Sequence, residues 1–238
     1  MRRWRWRARS RVSAVYTSDD LMLRPALLCC ICLAIAAPAA AQQKEPIGPF
    51  AIDVRGAVGR HKAEPSVATD LGVQSANLPT RTLGLVGSVQ VYPLRSRRVS
   101  LGLGGNFVMT RGSKALETVD EADDEAEPVE GPTVRRHFTT FSPEISLNFG
   151  HRNGWSYISG GMFGQSKLYL EREDAPVSAA PYRSTINYGG GARWFTSEHI
   201  AFSVDFRWYS VAEQAAEPGI VAQPRTTLLI LSGGIAFK

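Results

Sequence analysis

The stretch "HIAFSVDFRWYS", His199–Ser210, sets Phe202, Val204, Phe206 and Trp208 on alternate positions, with Ser203, Asp205, Arg207 and Tyr209 between them. Successive side chains of a strand point to opposite faces, so the segment reads as a strand with one apolar and one polar edge. In a water-soluble sheet the apolar edge is buried. In a membrane barrel it meets lipid, and the edge carrying Asp205 and Arg207 lines the lumen. The rest of the chain has to choose between the two.

Eight alternating stretches follow residue 42, at roughly 50–59, 80–92, 99–110, 137–149, 155–164, 185–195, 200–210 and 226–237. Each is near the 9–11 residues, or about ten, that a tilted strand needs to cross a bilayer. No segment holds a helical period, so an all-β chain is expected. The connections alternate in length. Polar segments at 60–79, 111–136, 165–184 and 211–225 are long, whereas "PLRSRR", "GHRNG" and "TSEH" are tight turns. Such alternation is what an up-and-down barrel with one elaborated end produces. The spacing therefore predicts an eight-stranded antiparallel up-and-down transmembrane β-barrel with short periplasmic turns and long external loops.

Charge and cysteine divide the chain at one point. Residues 1–41 carry seven Arg and two Asp, and from residue 42 onward twenty basic residues meet twenty acidic ones. The net charge of +5 thus belongs to the N-terminal segment and speaks for no nucleic-acid partner. Cys29, Cys30 and Cys32 also precede residue 41, so no thiol chemistry is open to the remainder. The segment "MLRPALLCCICLAIAAPAAA" has a basic Arg24, an apolar run and the small-residue pattern Ala39-Ala40-Ala41. It predicts a cleaved signal peptide over residues 1–41, with translation expected to start at Met22, ahead of one barrel domain over 42–238.

The strand faces sort consistently. Phe50, Ile52, Val54 and Val58 oppose Asp53 and Arg55; Phe141, Ile145, Leu147 and Phe149 oppose Ser142, Glu144 and Asn148; the minor face of "INYGGGARWF" carries Asn187, Gly189, Gly191 and Arg193. An eight-stranded barrel has an interior just wide enough for side chains to fill, so small residues and charges of both signs suit a lumen. Tyr92, Phe149, Trp155, Trp194, Phe195, Trp208 and Tyr209 sit near strand ends and are expected in the interfacial girdles. A lipocalin-like soluble barrel is the opposite assignment, with the oily face around a ligand.

The pattern "NYGGGARWFTSEHIAFSVDFRWYS" and the last strand "TTLLILSGGIAF" resemble the small outer-membrane β-barrel family, the OmpA/OmpX-like eight-stranded group, over residues 48–238. That resemblance implies localisation in the cell outer membrane, contact with membrane lipid and lipopolysaccharide, and delivery by the barrel assembly machinery. In the family that machinery reads a terminal strand ending in an aromatic residue. Phe237 fits, preceded by Ile235, Leu231 and Leu229 at alternate positions, although Lys238 follows it.

Three functions are then set against one another. A structural or surface-interaction role needs only the wall and a lumen filled by a charge network of Asp53, Arg55, Glu144, Arg193, Asp205 and Arg207. A narrow channel or carrier for small solutes needs those pairs to exchange. A lipid A-modifying enzyme, as the resemblance also allows, needs a His near the outer rim, where only His61 and His137 qualify; His151 and His199 lie in the short turns. The structural role is favoured and no catalytic residue is assigned. The external loop "ALETVDEADDEAEPVEG" carries Glu117, Asp120, Glu121, Asp123, Asp124, Glu125, Glu127 and Glu130 without a basic residue. Like-charge runs are mostly solvated, which is the expectation, with a divalent cation or a cationic surface partner as the sharper alternatives. No metal-ligand spacing, phosphate loop or nucleic-acid motif occurs, so neither cofactor nor metal is expected.

Overall fold

A computed structural model describes residues 46–96, 98–118, 129–174, 180–215 and 222–238. The signal peptide expected at 1–41 lies outside them. Eight strands, β1 (Phe50–Arg60), β2 (Arg81–Arg95), β3 (Val99–Thr118), β4 (Val129–His151), β5 (Gly154–Arg172), β6 (Arg183–Phe195), β7 (Ile200–Val211) and β8 (Thr226–Phe237), pair in sequence order and close into a barrel. Every pairing is antiparallel, and the β1–β8 seam runs from Ile52 opposite Phe237 to Arg60 opposite Leu229. Closure removes both sheet edges, which is what lets a sheet reside in hydrocarbon with every ladder group paired.

The period-two pattern is realised with the apolar side outward. Phe202, Val204 and Phe206 are exposed, Phe202 by 63%, and so are Ile52, Val54, Leu85, Val89, Ile145 and Leu231 on other strands. Asp205 and Arg207, between them, are buried. A soluble protein does not display a continuous apolar wall of this kind, whereas lipid stabilises it. The lipocalin-like assignment is therefore reversed.

The interior is stratified. Reading inward-facing positions along β1 from the periplasmic end, Ala51 belongs to a small cluster with Ile47, Tyr92, Trp155 and Tyr157; Asp53 and Arg55 follow; Ala57 then joins an apolar cluster with Val86, Val108, Phe138, Leu168, Tyr209, Val211, Leu228 and Ile230. A charged layer is thus sandwiched between two hydrophobic ones. Glycine on β6 makes room for it, since a Cβ at Gly191 would stand 2.7 Å from the Tyr157 hydroxyl. The "GGG" run serves close packing.

Two expectations need correction. Tyr92, Trp155 and Tyr209 are buried in the lumen, not in a girdle, because each shares strand parity with inward polar residues; Phe149 and Trp194 do face outward. The β3–β4 hairpin and β5 run beyond the expected strand ends, pairing Ser113 with Arg135, Glu117 with Glu130 and Val134 with Arg172. Polar residues occupy both faces there, so the ladder continues with no alternation to announce it. The fold is all-β as expected, with one local addition. A short helix α1 (Pro65–Asp70) and a single 3-10 turn at Ser75–Asn77 fold in the first external connection. Proline at the start of α1 supplies a preset φ, and six residues are too few to display a helical period. Ala68 and Leu78 bury against Val134, with Leu71, Leu116 and Leu170 packed on them, which lays this connection against the outer ends of β3, β4 and β5.

Candidate functional site

The structure places all six charged lumen residues in the middle layer. Asp53 on β1 is fully buried and accepts from both sides of the Arg193 guanidinium on β6, Nε to Oδ1 at 3.0 Å and Nη2 to Oδ2 at 2.7 Å. Ser203 and Ser88 donate to its remaining lone pairs at 2.7 and 2.8 Å. Arg193 also lies over the Tyr157 ring, 4.4 Å from its centroid, and donates to the Tyr92 hydroxyl at 3.3 Å. This two-toothed geometry is the strongest form a guanidinium–carboxylate pair takes.

The second group centres on Arg207. Its Nε and Nη2 donate to the two oxygens of Asp205 at 3.2 and 3.0 Å, Nη1 donates to Asn187 at 2.7 Å and to Glu144, and Nη2 reaches Ser159 at 2.7 Å. Glu144 accepts further from Gln90 at 2.9 Å and Asn106 at 3.1 Å. Asp205 accepts from the Tyr157 hydroxyl at 2.8 Å and pairs with Arg55 at 3.6 Å. Arg55 donates to Tyr157 at 3.0 Å and to Ser88 at 3.4 Å, so Ser88 joins the two groups. Every carboxylate oxygen of Asp53, Glu144 and Asp205 accepts at least one bond. Sequence reading had missed the neutral members. Tyr92 and Tyr157 share parity with Gln90 and Ser159 but are aromatic, and Gln90 and Asn106 on β2 and β3 become partners of Glu144 only when β2, β3 and β4 pair in this register.

The other singled-out residues are dispersed. Phe237 faces outward on β8, opposite Ile52 and Ile200. Of the acidic run, Glu117 and Glu130 stand opposite one another in the β3–β4 ladder, a correction to their placement in a loop; Asp120, Glu121, Asp123, Asp124, Glu125 and Glu127 lie outside the described residues. His137 faces outward on β4, stacked on Tyr169 at 4.8 Å with Glu171 3.3 Å from Nε2. It lines an open cleft of about 400 Å³ with Arg111, Ser113 and Arg135. Among the described residues Nε2 has no hydrogen-bond partner, so no nucleophile is coupled to it there.

His61 is buried beyond the end of β1, edge-on to Phe138, with Nε2 3.1 Å from the Thr82 hydroxyl. Burial first, and the charge of Arg136 second, lower its pKa from 6.5 to about 3. The folded protein therefore keeps this ring neutral where the unfolded chain protonates it. Its contribution to stability is complete above pH 6.5 and is lost as pH falls toward about 3. Heat-modifiable gel mobility of micelle-folded protein should show a midpoint falling through that window, and His61→Phe should flatten the slope. An unchanged slope in the variant would contradict the assignment.

A closed eight-stranded antiparallel barrel with an apolar outer wall and a charged, filled lumen defines an outer-membrane β-barrel protein. No protein-family profile and no curated protein matches the chain. Among solved structures it is similar to the attachment invasion locus protein Ail of Yersinia pestis (13% identity, 80% of this chain and 98% of that one, TM-score 0.46). It is similar also to the outer membrane protein OprG of Pseudomonas aeruginosa (10%, 83% and 98%, TM-score 0.46). A third is the N-terminal β-barrel domain of OprF from the same organism (13%, 81% and 98%, TM-score 0.39).

Proposed function

We propose that this barrel is a structural, surface-interacting protein of the outer membrane, neither a solute channel nor an enzyme. One observation carries the reading: the middle of the lumen is occupied by three guanidiniums and three carboxylates whose oxygens are all engaged, with apolar clusters above and below. Opening a path through such a layer separates buried charges, each of which costs several kcal/mol when left alone, on the order of the whole stability of a domain. The plug leaves the outer surface as the working part of the molecule.

Lipopolysaccharide is the partner best suited to the upper wall. Arg60, Arg81, Arg111 and Arg135 face outward where the apolar belt ends, on β1 to β4. Guanidiniums in a row bind phosphate oxygens in pairs. The aromatic Phe237 at the end of β8 suits recognition by the barrel assembly machinery, and the external hairpins remain for a further surface partner. For lipid A chemistry, His61 is shut beneath packed side chains, and among the described residues no nucleophile is bonded to His137 Nε2, which favours a binding role at this rim.

Two readouts test the proposal together. Protein in planar bilayers should give no stepped conductance, and R111E/R135E should co-purify with about tenfold less lipopolysaccharide, because a charged hydrogen bond contributes about 1.5–3 kcal/mol. Discrete conductance steps altered by Arg207→Met would instead establish the channel. Loss of a lipid A modification on deletion would establish the enzyme.

A further inference from the structure

Outward-facing residues at the top of the wall form a ladder across three strands. Arg111 on β3 stands opposite His137 on β4, and His137 opposite Tyr169 on β5; one rung further out, Ser113 stands opposite Arg135 and Arg135 opposite Glu171. Arg111, Ser113, Arg135, His137 and Glu171 together line the open cleft of about 400 Å³. Ligand sites run from about 300 to about 1,000 Å³, so this one has room for a single substituted sugar ring.

The floor of the cleft is held in place and its charges are mixed. The His137 ring lies flat on Tyr169, 6° from parallel at 4.8 Å, and a Glu171 oxygen is 3.3 Å from His137 Nε2. Among the described residues no carboxylate pairs with Arg111, and Arg135 meets Glu173 at 3.8 Å with both side chains about half exposed. An exposed pair of that kind contributes little, so Arg135 can turn to a stronger acceptor. A site for a bare anion would exclude a carboxylate. Glu171 inside the cleft fits a ligand that brings hydrogen-bond donors together with its negative group, as a phosphorylated sugar does.

Position selects the source of that sugar. Below the cleft the same ladder carries Met109 and Lys167, then Phe107 and Phe141, with Phe141 59% exposed. Two residues of strand span roughly 7 Å, so a sugar seated here stands directly above the apolar wall. Acyl chains attached to it would run down over Phe107 and Phe141. We propose that the cleft seats one acylated, phosphorylated glucosamine unit, with Arg111 and Arg135 on the phosphate and Glu171 and Ser113 on the amide and hydroxyl groups. The site rests on the lipopolysaccharide reading and narrows it from a charged rim to one sugar.

N-Acetylglucosamine 1-phosphate is the probe, with full-length mature protein folded in zwitterionic micelles free of lipopolysaccharide and binding read by saturation transfer to the acetyl protons. The parent protein should bind it, and R111Q/R135Q should not. Glu171→Ala should bind the sugar phosphate about tenfold more weakly, having lost the acceptor for its donors, yet hold inorganic phosphate at least as well as the parent, having lost a negative charge. A residue that merely supported the sheet would weaken both ligands alike. Should R111Q/R135Q lack the heat-modifiable mobility of a folded barrel, the contrast between the two ligands in Glu171→Ala decides alone. No binding to the parent, its survival in folded R111Q/R135Q, or an equal effect of Glu171→Ala on both ligands would each overturn the site. If lipopolysaccharide then still co-purifies with the parent and not with R111E/R135E, charge alone holds it and only the sugar site falls; unchanged lipopolysaccharide in R111E/R135E removes the reading beneath it.

Discussion

Asp53→Asn should lower the unfolding free energy of the barrel by about 3–5 kcal/mol, the usual effect of leaving one member of a buried ion pair without its partner. Asn fills the same space, so the loss is electrostatic. Arg193, fully buried, keeps its charge while its partner becomes neutral, and one of the two oxygens that accept from Arg193, Ser203 and Ser88 is replaced by an NH2 group that faces donors. Urea unfolding in lipid vesicles, followed by gel mobility and tryptophan fluorescence, measures it. D53N/R193M should recover most of the loss, because two well-packed neutral side chains replace the pair. A single-variant loss below about 1 kcal/mol would mean that water reaches the Arg193 guanidinium and that the middle layer is not sealed.

Phe206→Arg should cost about 2–4 kcal/mol, the effect of a cation at the lipid face of a barrel near the bilayer midplane. Phe206 is exposed in the central part of β7, opposite Gly190 on β6 and Leu231 on β8, while the adjacent Arg207 is held in the lumen. One position along the strand thus separates a tolerated arginine from a forbidden one. The same vesicle titration reads it, with the variant placed in a thin and a thick bilayer. Equal stability of Phe206→Arg and the parent in both would put that side chain in water and remove the membrane assignment.

The two experiments address different terms. The outer wall presents apolar side chains to lipid. The middle layer selects one arrangement, because Asp53 meets Arg193 and Glu144 meets Arg207 only when β1, β4, β6 and β7 take this register. A one-residue slip would send a strand's charges into hydrocarbon.

What the amino-acid sequence determined by itself was the periodicity. Alternation in β1, β7 and β8 and the long-short rhythm of the connections define an eight-stranded barrel, and the parity of Asp53, Arg55, Glu144, Arg193, Asp205 and Arg207 assigns them to one face. These are local properties, since side-chain direction in a strand follows from position alone. Closure decided the rest. Tyr157 serves Arg55 and Asp205 because β5 lies across the lumen from β1 and β7. The short helix over Pro65–Asp70 and the extended β3–β4 hairpin stayed hidden for a related reason. The helix is held by packing on β3, β4 and β5, and the hairpin extension has polar residues on both faces of its ladder, so neither leaves a period in its own segment.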